Sequence, residues 1–110
     1  MFNAQFISNM KPGAILVNCA RGALVDNQAL RAALIEGRIA GAALDTIEPE
    51  PTPASPPLVD LPPEARDRVV YSSHLGGSSG GSFAAAHRIM WENARRVLED
   101  SRPVNVVNGL

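Results

Sequence analysis

The chain has 110 residues, 45% of them apolar, and ten basic residues against eleven acidic ones give a net charge of −1. That length limits it to one domain at most, burying roughly two thirds of its unfolded surface, and no run approaches the roughly 20 apolar residues of a membrane span. The scattered basic residues leave no footprint for nucleic acid or an anionic membrane, so neither is expected as a partner.

The N-terminus lacks a basic segment followed by an apolar one, so the chain reads as soluble and not exported. The single cysteine, Cys19, can form no internal disulfide and has no local partner for a metal, which makes the cytoplasm the natural compartment.

Phe2, Phe6 and Ile7 predict a short opening helix capped by Asn3, with Phe2 and Ile7 as a hydrophobic staple. Lys11-Pro12-Gly13-Ala14 predicts a type II turn, since Pro presets the first central residue and Gly accepts the positive φ of the second. Ala14-Ile15-Leu16-Val17 is continuously apolar, as expected of a parallel strand covered on both faces. Beyond Arg21-Gly22 a helix of about three turns starts at Asp26, with Val25 and Leu30 in staple positions and Gly37 at a left-handed C-terminal cap. It feeds Ile39 to Leu44, whose small residues suit a buried strand. Strand, helix and strand within about thirty residues form the parallel, right-handed crossover unit.

Seven of the nine prolines fall between Pro49 and Pro63, which predicts an extended loop running over the surface. Arg68 to Ser72 reads as a third strand, followed by the glycine-rich stretch Gly76 to Gly81. From Ser82 to about Glu99 a long helix is expected, with Phe83, Ala86, Met90, Ala94, Val97 and Leu98 on one apolar stripe. Pro103 should end it, and Val104 to Val107 should form an extended tail. The fold class is therefore α/β with about three parallel strands. So few elements leave sheet edges open and apolar faces uncovered, and the chain looks incomplete.

Each strand delivers a reactive side chain just past its end: Arg21, Glu50 and His74. Parallel neighbours would gather them at one carboxyl edge, where open α/β sheets bind ligands. Arg21, between Ala20 and Gly22, could grip a carboxylate bidentately or be an ordinary surface arginine. His74, two residues past its strand, suits a catalytic loop or a solvated one; His87, in the long helix, takes a structural or solvent role. Glu48 and Glu50 both stand at the head of the proline loop, and spacing does not choose between them as the partner that fixes the tautomer of His74. Asp45 could accept a hydrogen bond from a ligand amide or cap the turn. The glycines at 76–81 precede a helix but match neither Gly-x-Gly-x-x-Gly nor a P-loop. Cys19 reads as a small core hydrophobe, with no base near it in sequence.

Met10 to Gly22, Val25-Asp26, Gly41 to Asp45, Glu50-Pro51 and His74 to Gly77, in this order, resemble the D-isomer-specific 2-hydroxyacid dehydrogenases, and the likeness runs to Pro103-Val104-Asn105. It implies a partial Rossmann-type sheet, with residues 1–77 as the end of the dinucleotide-binding domain and 78–110 as an interdomain helix and a tail returning to the substrate domain. It implies NAD or NADP as cofactor, a small 2-hydroxy or 2-keto acid as substrate, and a homodimer for the complete protein. By motif position, Arg21 would bind the substrate carboxylate, His74 would be the acid/base, and Glu50 rather than Glu48 would be its partner. Cys19, Ala20, Arg21, Asp45, His74, Leu75, Gly76 and Gly77 would line the cofactor, with Asp45 at the nicotinamide carboxamide. Glu50 separates the chain from the family's formate-oxidising branch, which has Gln there.

Ser72-Ser73 replace the Thr-Pro common before the histidine, which is expected to loosen that loop. The family's glycine-rich fingerprint lies upstream of Met1, so the chain resembles the last third of such an enzyme and should be nearly inactive alone. Two other readings stand beside this one: a non-catalytic dinucleotide-binding or regulatory protein of the same fold, and a truncated, inactive gene product.

Overall fold

The structure is a computed structural model describing residues 1–53 and 55–107. It divides into two compact units, Met1–Leu75 and Gly76–Leu110. Residues 108–110 of the expected second segment lie outside the described residues.

The first unit opens with α1 (Ala4–Ser8), capped by the Asn3 side chain, which accepts a hydrogen bond from the Phe6 N–H at 2.9 Å. The Phe2 ring packs edge-on against Phe6, with centroids 4.8 Å apart, and against the core that holds Ile7. The chain then reverses at Gly13, whose φ of +79° and the Ala14 N–H to Lys11 C=O bond of 3.0 Å make the expected turn. Strand β1 (Ile15–Asn18) follows, then a 3-10 turn over Gly22–Leu24 and helix α2 (Asn27–Ile35).

Asp26 caps α2 by accepting from the N–H groups of Gln28 and Ala29, both at 3.0 Å. The helix ends with Gly37 at φ +68°, where Gly37 donates to Leu34 and Arg38 donates to Ala33, the paired bonds of a Schellman cap. Leu30 and Leu34 on its inner face are fully buried, each contributing roughly 1.5–3 kcal/mol.

Strand β2 (Gly41–Leu44) lies between β1 and β3 (Val69–Tyr71), parallel to both. Leu16 pairs with Ala42, and Ala42 with Val69, so these three share the buried face. Ile15, Val17 and Val70 point the other way and are exposed. The apolar run at 14–17 is thus covered on one face only, because the helices and loop of this unit all pack on the same side of the sheet. The bare apolar face and open edges expected from so few elements are present among the described residues.

The proline loop corrects the sequence reading. It does not simply run over the surface: Pro56, Leu58 and Leu61 are fully buried in the core, and the loop ends in helix α3 (Pro63–Arg66), whose Ala65 is buried too. Pro63 sits at the first helical position, where its missing N–H costs nothing. Arg31 fastens the loop to α2 by donating to the carbonyls of Pro57 and Asp60.

In the second unit, α4 spans Gly80–Leu98, two residues earlier than expected, because Ser79 caps it by accepting from the Ser82 N–H. It ends before Pro103, through a left-handed Asp100 (φ +51°) whose N–H donates to Val97 while Ser101 donates to Arg96. Within this unit no residue of α4 is buried, and Phe83, Met90, Val97 and Leu98 of the stripe are exposed. The tail is not extended throughout: Asn105 has φ +59°, and the Asn93 side chain holds both the N–H and the C=O of Val104. Among the described residues no helix is long and apolar enough to cross a membrane.

Two outcomes test this packing. A Cβ at Gly41 would stand 2.5 Å from the Arg68 carbonyl oxygen, which accepts the Ala42 N–H at 2.9 Å. Gly41→Ala should therefore cost about 1–3 kcal/mol in urea unfolding. Tyr71, the one tyrosine, donates its hydroxyl to the Leu58 carbonyl, and burial raises its pKa above the ordinary 10.0 against the opposing charge of Arg66. The midpoint of its phenolate absorbance change should then lie above pH 10.0. The raised pKa stabilises the fold fully below the unfolded tyrosine's pKa, and that contribution is lost as pH rises through the folded value.

Candidate active site

Because the three strands are parallel, their carboxyl ends deliver three loops to one edge of the sheet: 19–21 after β1, 45–50 after β2 and 72–75 after β3. Buried polar groups hold these loops from beneath. Asn18, 5% exposed, donates through Nδ2 to the Arg21 carbonyl at 2.9 Å and to Thr46 Oγ1 at 3.3 Å, while its Oδ1 accepts the Ala20 N–H at 3.1 Å. One side chain therefore shapes the turn that carries Cys19, Ala20 and Arg21 and ties it to the loop after β2.

Asp45, 7% exposed, continues from β2, and its N–H donates to the Asn18 carbonyl at 2.9 Å. Its Oδ1 accepts from Ser72 Oγ at 2.5 Å and from the Leu75 N–H at 2.9 Å, and its carbonyl accepts the His74 N–H at 2.8 Å. The loop expected to be loosened by Ser72-Ser73 is thus fastened through Ser72. It holds His74 at φ +55°, a left-handed conformation rare outside glycine, at a cost of about 1–3 kcal/mol that the surrounding bonds must offset.

Between these loops His74 Nδ1 lies 3.0 Å from Glu50 Oε2, with the two side chains 43% and 44% exposed. The geometry selects Glu50 over Glu48 as the histidine's partner; Glu48 instead offers its backbone carbonyl to Asn27 Nδ2 at 2.6 Å. A carboxylate has only acceptors to give, so Nδ1 carries the proton and Nε2 is the ring nitrogen left for another molecule. A cavity of about 280 Å³ adjoins the pair, lined by Asp45, Ile47, Glu50, Thr52, Ser72 and His74 among others.

Arg21 shares the edge without joining the pair. Its Nη1 donates to the Ala20 carbonyl at 2.6 Å, and no ion pair links it to Glu50 or His74 among the described residues. Cys19 is exposed, which overturns its reading as a core hydrophobe: it follows the last residue of β1, where the chain turns out toward the edge. Leu75 is exposed, and Gly76 and Gly77 open the second unit, where Gly77 accepts a hydrogen bond from Ser82 Oγ. His87 is exposed on α4, in keeping with a solvent role.

Asn18 and Ser72 were not singled out from sequence as site residues. The available signal was a polar residue ending an apolar strand, a position that must either reach solvent or find buried partners. No group of three or more metal-ligating side chains occurs among the described residues.

The family described as D-isomer specific 2-hydroxyacid dehydrogenase, NAD binding domain, matches residues 1–76, which takes in the whole of the first unit. The chain is 45% identical over 102 residues to D-3-phosphoglycerate dehydrogenase of Methanocaldococcus jannaschii, covering 93% of this chain and 18% of that protein. It is 38% identical over 108 residues to glyoxylate reductase of Korarchaeum cryptofilum, covering 98% and 31%. Its fold matches that of a D-isomer specific 2-hydroxyacid dehydrogenase of Xanthobacter autotrophicus Py2, solved with NADPH and MES, at a TM-score of 0.80 and 36% identity over 97% of this chain and 41% of that one. The chain spans less than a third of the length of the curated relatives it matches.

The loop packing and the exposed pair should respond differently to substitution. A Cβ at Gly22 would stand 2.3 Å from Glu48 N and 2.4 Å from the Ile47 carbonyl carbon, so Gly22→Ala should displace the backbone leading to Glu50 and cost about 1–3 kcal/mol in urea unfolding. Glu50→Gln should change the same free energy by less than about 1 kcal/mol, because its ion pair is half solvated.

Proposed function

The chain belongs to the D-isomer specific 2-hydroxyacid dehydrogenase family, and from that premise we propose that it forms the acid/base edge of an oxidoreductase moving a hydride between NAD or NADP and a 2-hydroxy or 2-keto acid. The observation that carries this reading is the His74–Glu50 contact of 3.0 Å at the carboxyl edge of a parallel sheet. An imidazole oriented through Nδ1 has Nε2 available to give a proton to a carbonyl oxygen and to take it back in the reverse direction.

Arg21 is the proposed anchor of the substrate carboxylate. Its exposed guanidinium fork on the neighbouring loop suits bidentate recognition, and anchoring the carboxylate fixes where the keto oxygen lies relative to His74. Glu50 fixes the tautomer of the ring through Nδ1 and balances the charge His74 carries when doubly protonated.

The residues present fit one end of the cofactor. The turn of Cys19, Ala20 and Arg21 is exposed and backbone-rich, Asp45 offers a carboxylate suited to an amide donor, and His74 and Leu75 complete the proposed lining within the first unit. Nowhere in the 110 residues is there a Gly-x-Gly-x-x-Gly run to hold a pyrophosphate. When bound, the reduced nicotinamide supplies a hydride to the keto carbon. Doubly protonated His74 gives its Nε2 proton to the oxygen as that charge develops and keeps its Nδ1 proton directed at Glu50, and solvent then reprotonates Nε2. Residues 78–110 are proposed as the interdomain helix and the tail toward the substrate domain, in a cytoplasmic protein that is a homodimer when complete.

The test is turnover of the whole protein that carries these residues, with glyoxylate and hydroxypyruvate as probes and consumption of NADH or NADPH as the readout. Reduction is expected. His74→Asn should lower kcat by about 10²–10⁴-fold, and Arg21→Lys should act mainly on KM, by about ten- to a hundredfold for a lost charged hydrogen bond. Nucleotide binding without reduction of any 2-keto acid would replace this reading with a non-catalytic one.

A further inference from the structure

We infer that Ser72 is a positioning residue for His74, acting through Asp45; the inference rests on the dehydrogenase reading only for its catalytic meaning. Three of the four residues from Ser72 to Leu75 are bonded to Asp45: the Ser72 hydroxyl and the Leu75 N–H at the same carboxylate oxygen, 2.5 and 2.9 Å away, and the His74 N–H at the backbone carbonyl, 2.8 Å away. These bonds close around a residue in the left-handed region, where a histidine does not rest by preference.

The backbone bond alone fixes one point of the loop. It does not fix the direction in which the imidazole leaves the chain. That direction depends on the carboxylate of Asp45 keeping one rotamer, and the two donors on Oδ1 hold it from opposite ends of the loop. The Ser72 N–H also donates to the Leu44 carbonyl at 3.0 Å, so the hydroxyl is presented from a residue still attached to the sheet. Ser72 thereby ties the orientation of Asp45 to β3, and Asp45 transmits it to the turn bearing His74.

Glu50 stands on a different loop, and its 3.0 Å contact with Nδ1 holds only while the ring keeps that direction. Without the hydroxyl, Oδ1 loses the donor that comes from the end of β3. The ring then samples orientations away from Glu50, and the proton is shared between Nδ1 and Nε2. Ser72 itself is exposed, so its truncation opens no hole in the core.

The experiment is nitrogen NMR of the imidazole rings, which is clean because the chain has two histidines, His74 and His87. The parent chain should show His74 in the single tautomer protonated at Nδ1. Ser72→Ala should replace it with averaged ring signals while those of His87 stay in place, and Ser72→Thr, which keeps the hydroxyl, should restore the single tautomer. Should the alanine variant lose its fold, Ser72→Cys keeps the volume with a weaker donor and serves the same comparison. In the whole protein Ser72→Ala should lower kcat about tenfold with KM for the keto acid unchanged, less than loss of the acid/base itself.

An unchanged His74 ring in Ser72→Ala, or in Ser72→Cys where that variant is used, overturns the inference, even in an active enzyme. Averaging that Ser72→Thr does not reverse overturns it too. Averaging that Ser72→Thr reverses supports the positioning role even if the whole protein reduces no keto acid, an outcome that would remove the dehydrogenase reading alone.

Discussion

β2 is the member on which the first unit depends. It pairs with a parallel neighbour on each side, and at Gly41 the backbone of residue 68 comes so close that no side chain fits. Its sequence, Gly-Ala-Ala-Leu, brings little apolar volume of its own. What it supplies is closeness: small residues let the helix, the loop and both neighbouring strands approach. That registry fixes where each strand ends, and hence where Asn18, Asp45 and Ser72 begin their loops. A shift of one residue would turn Asp45 to the other face and dissolve the attachment of His74.

Much of this was legible because it is written in local signals. Asn3 and Asp26 cap helices, Gly13 makes its turn and Gly37 its Schellman cap through preferences that act within a few residues. Other features depend on distant partners. Prolines argue against helix and for a surface loop, yet Leu58 and Leu61 between them plug the core, because local backbone stiffness does not prevent a loop from burying its intervening side chains. Asp100 ends α4 through a left-handed conformation more common for glycine, whereas the stronger local stop signal is Pro103, three residues further on. Cys19 lies in the residue-by-residue passage from a buried strand to an open edge, where composition carries no signal.

The same division runs through the site. Arg21, Glu50 and His74 were legible as chemistry because each follows an apolar run, and the parallel order brings their loops to one edge. The geometry joins two of them and leaves the third on its own loop. Sequence spacing predicts which edge a side chain reaches; it does not predict the direction of a guanidinium on an exposed stem, which packing leaves undetermined.

The groups proposed to perform chemistry are exposed, whereas the polar groups beneath their loops are buried. Among the described residues, Asn18, Asp45 and Thr46 are the buried polar residues of the unit, and each lies beneath a loop that bears an exposed reactive side chain. An ion pair as solvated as His74–Glu50 contributes little to stability. A buried carboxylate or amide, by contrast, is costly unless every bond it needs is made. That cost is what makes the arrangement specific: Asn18 and Asp45 tolerate few loop conformations other than the one that satisfies them. The strain of a left-handed His74 is sustained by groups that would lose more by releasing it, so the imidazole's position is set by the polar interior of the sheet edge rather than by its own contact with Glu50.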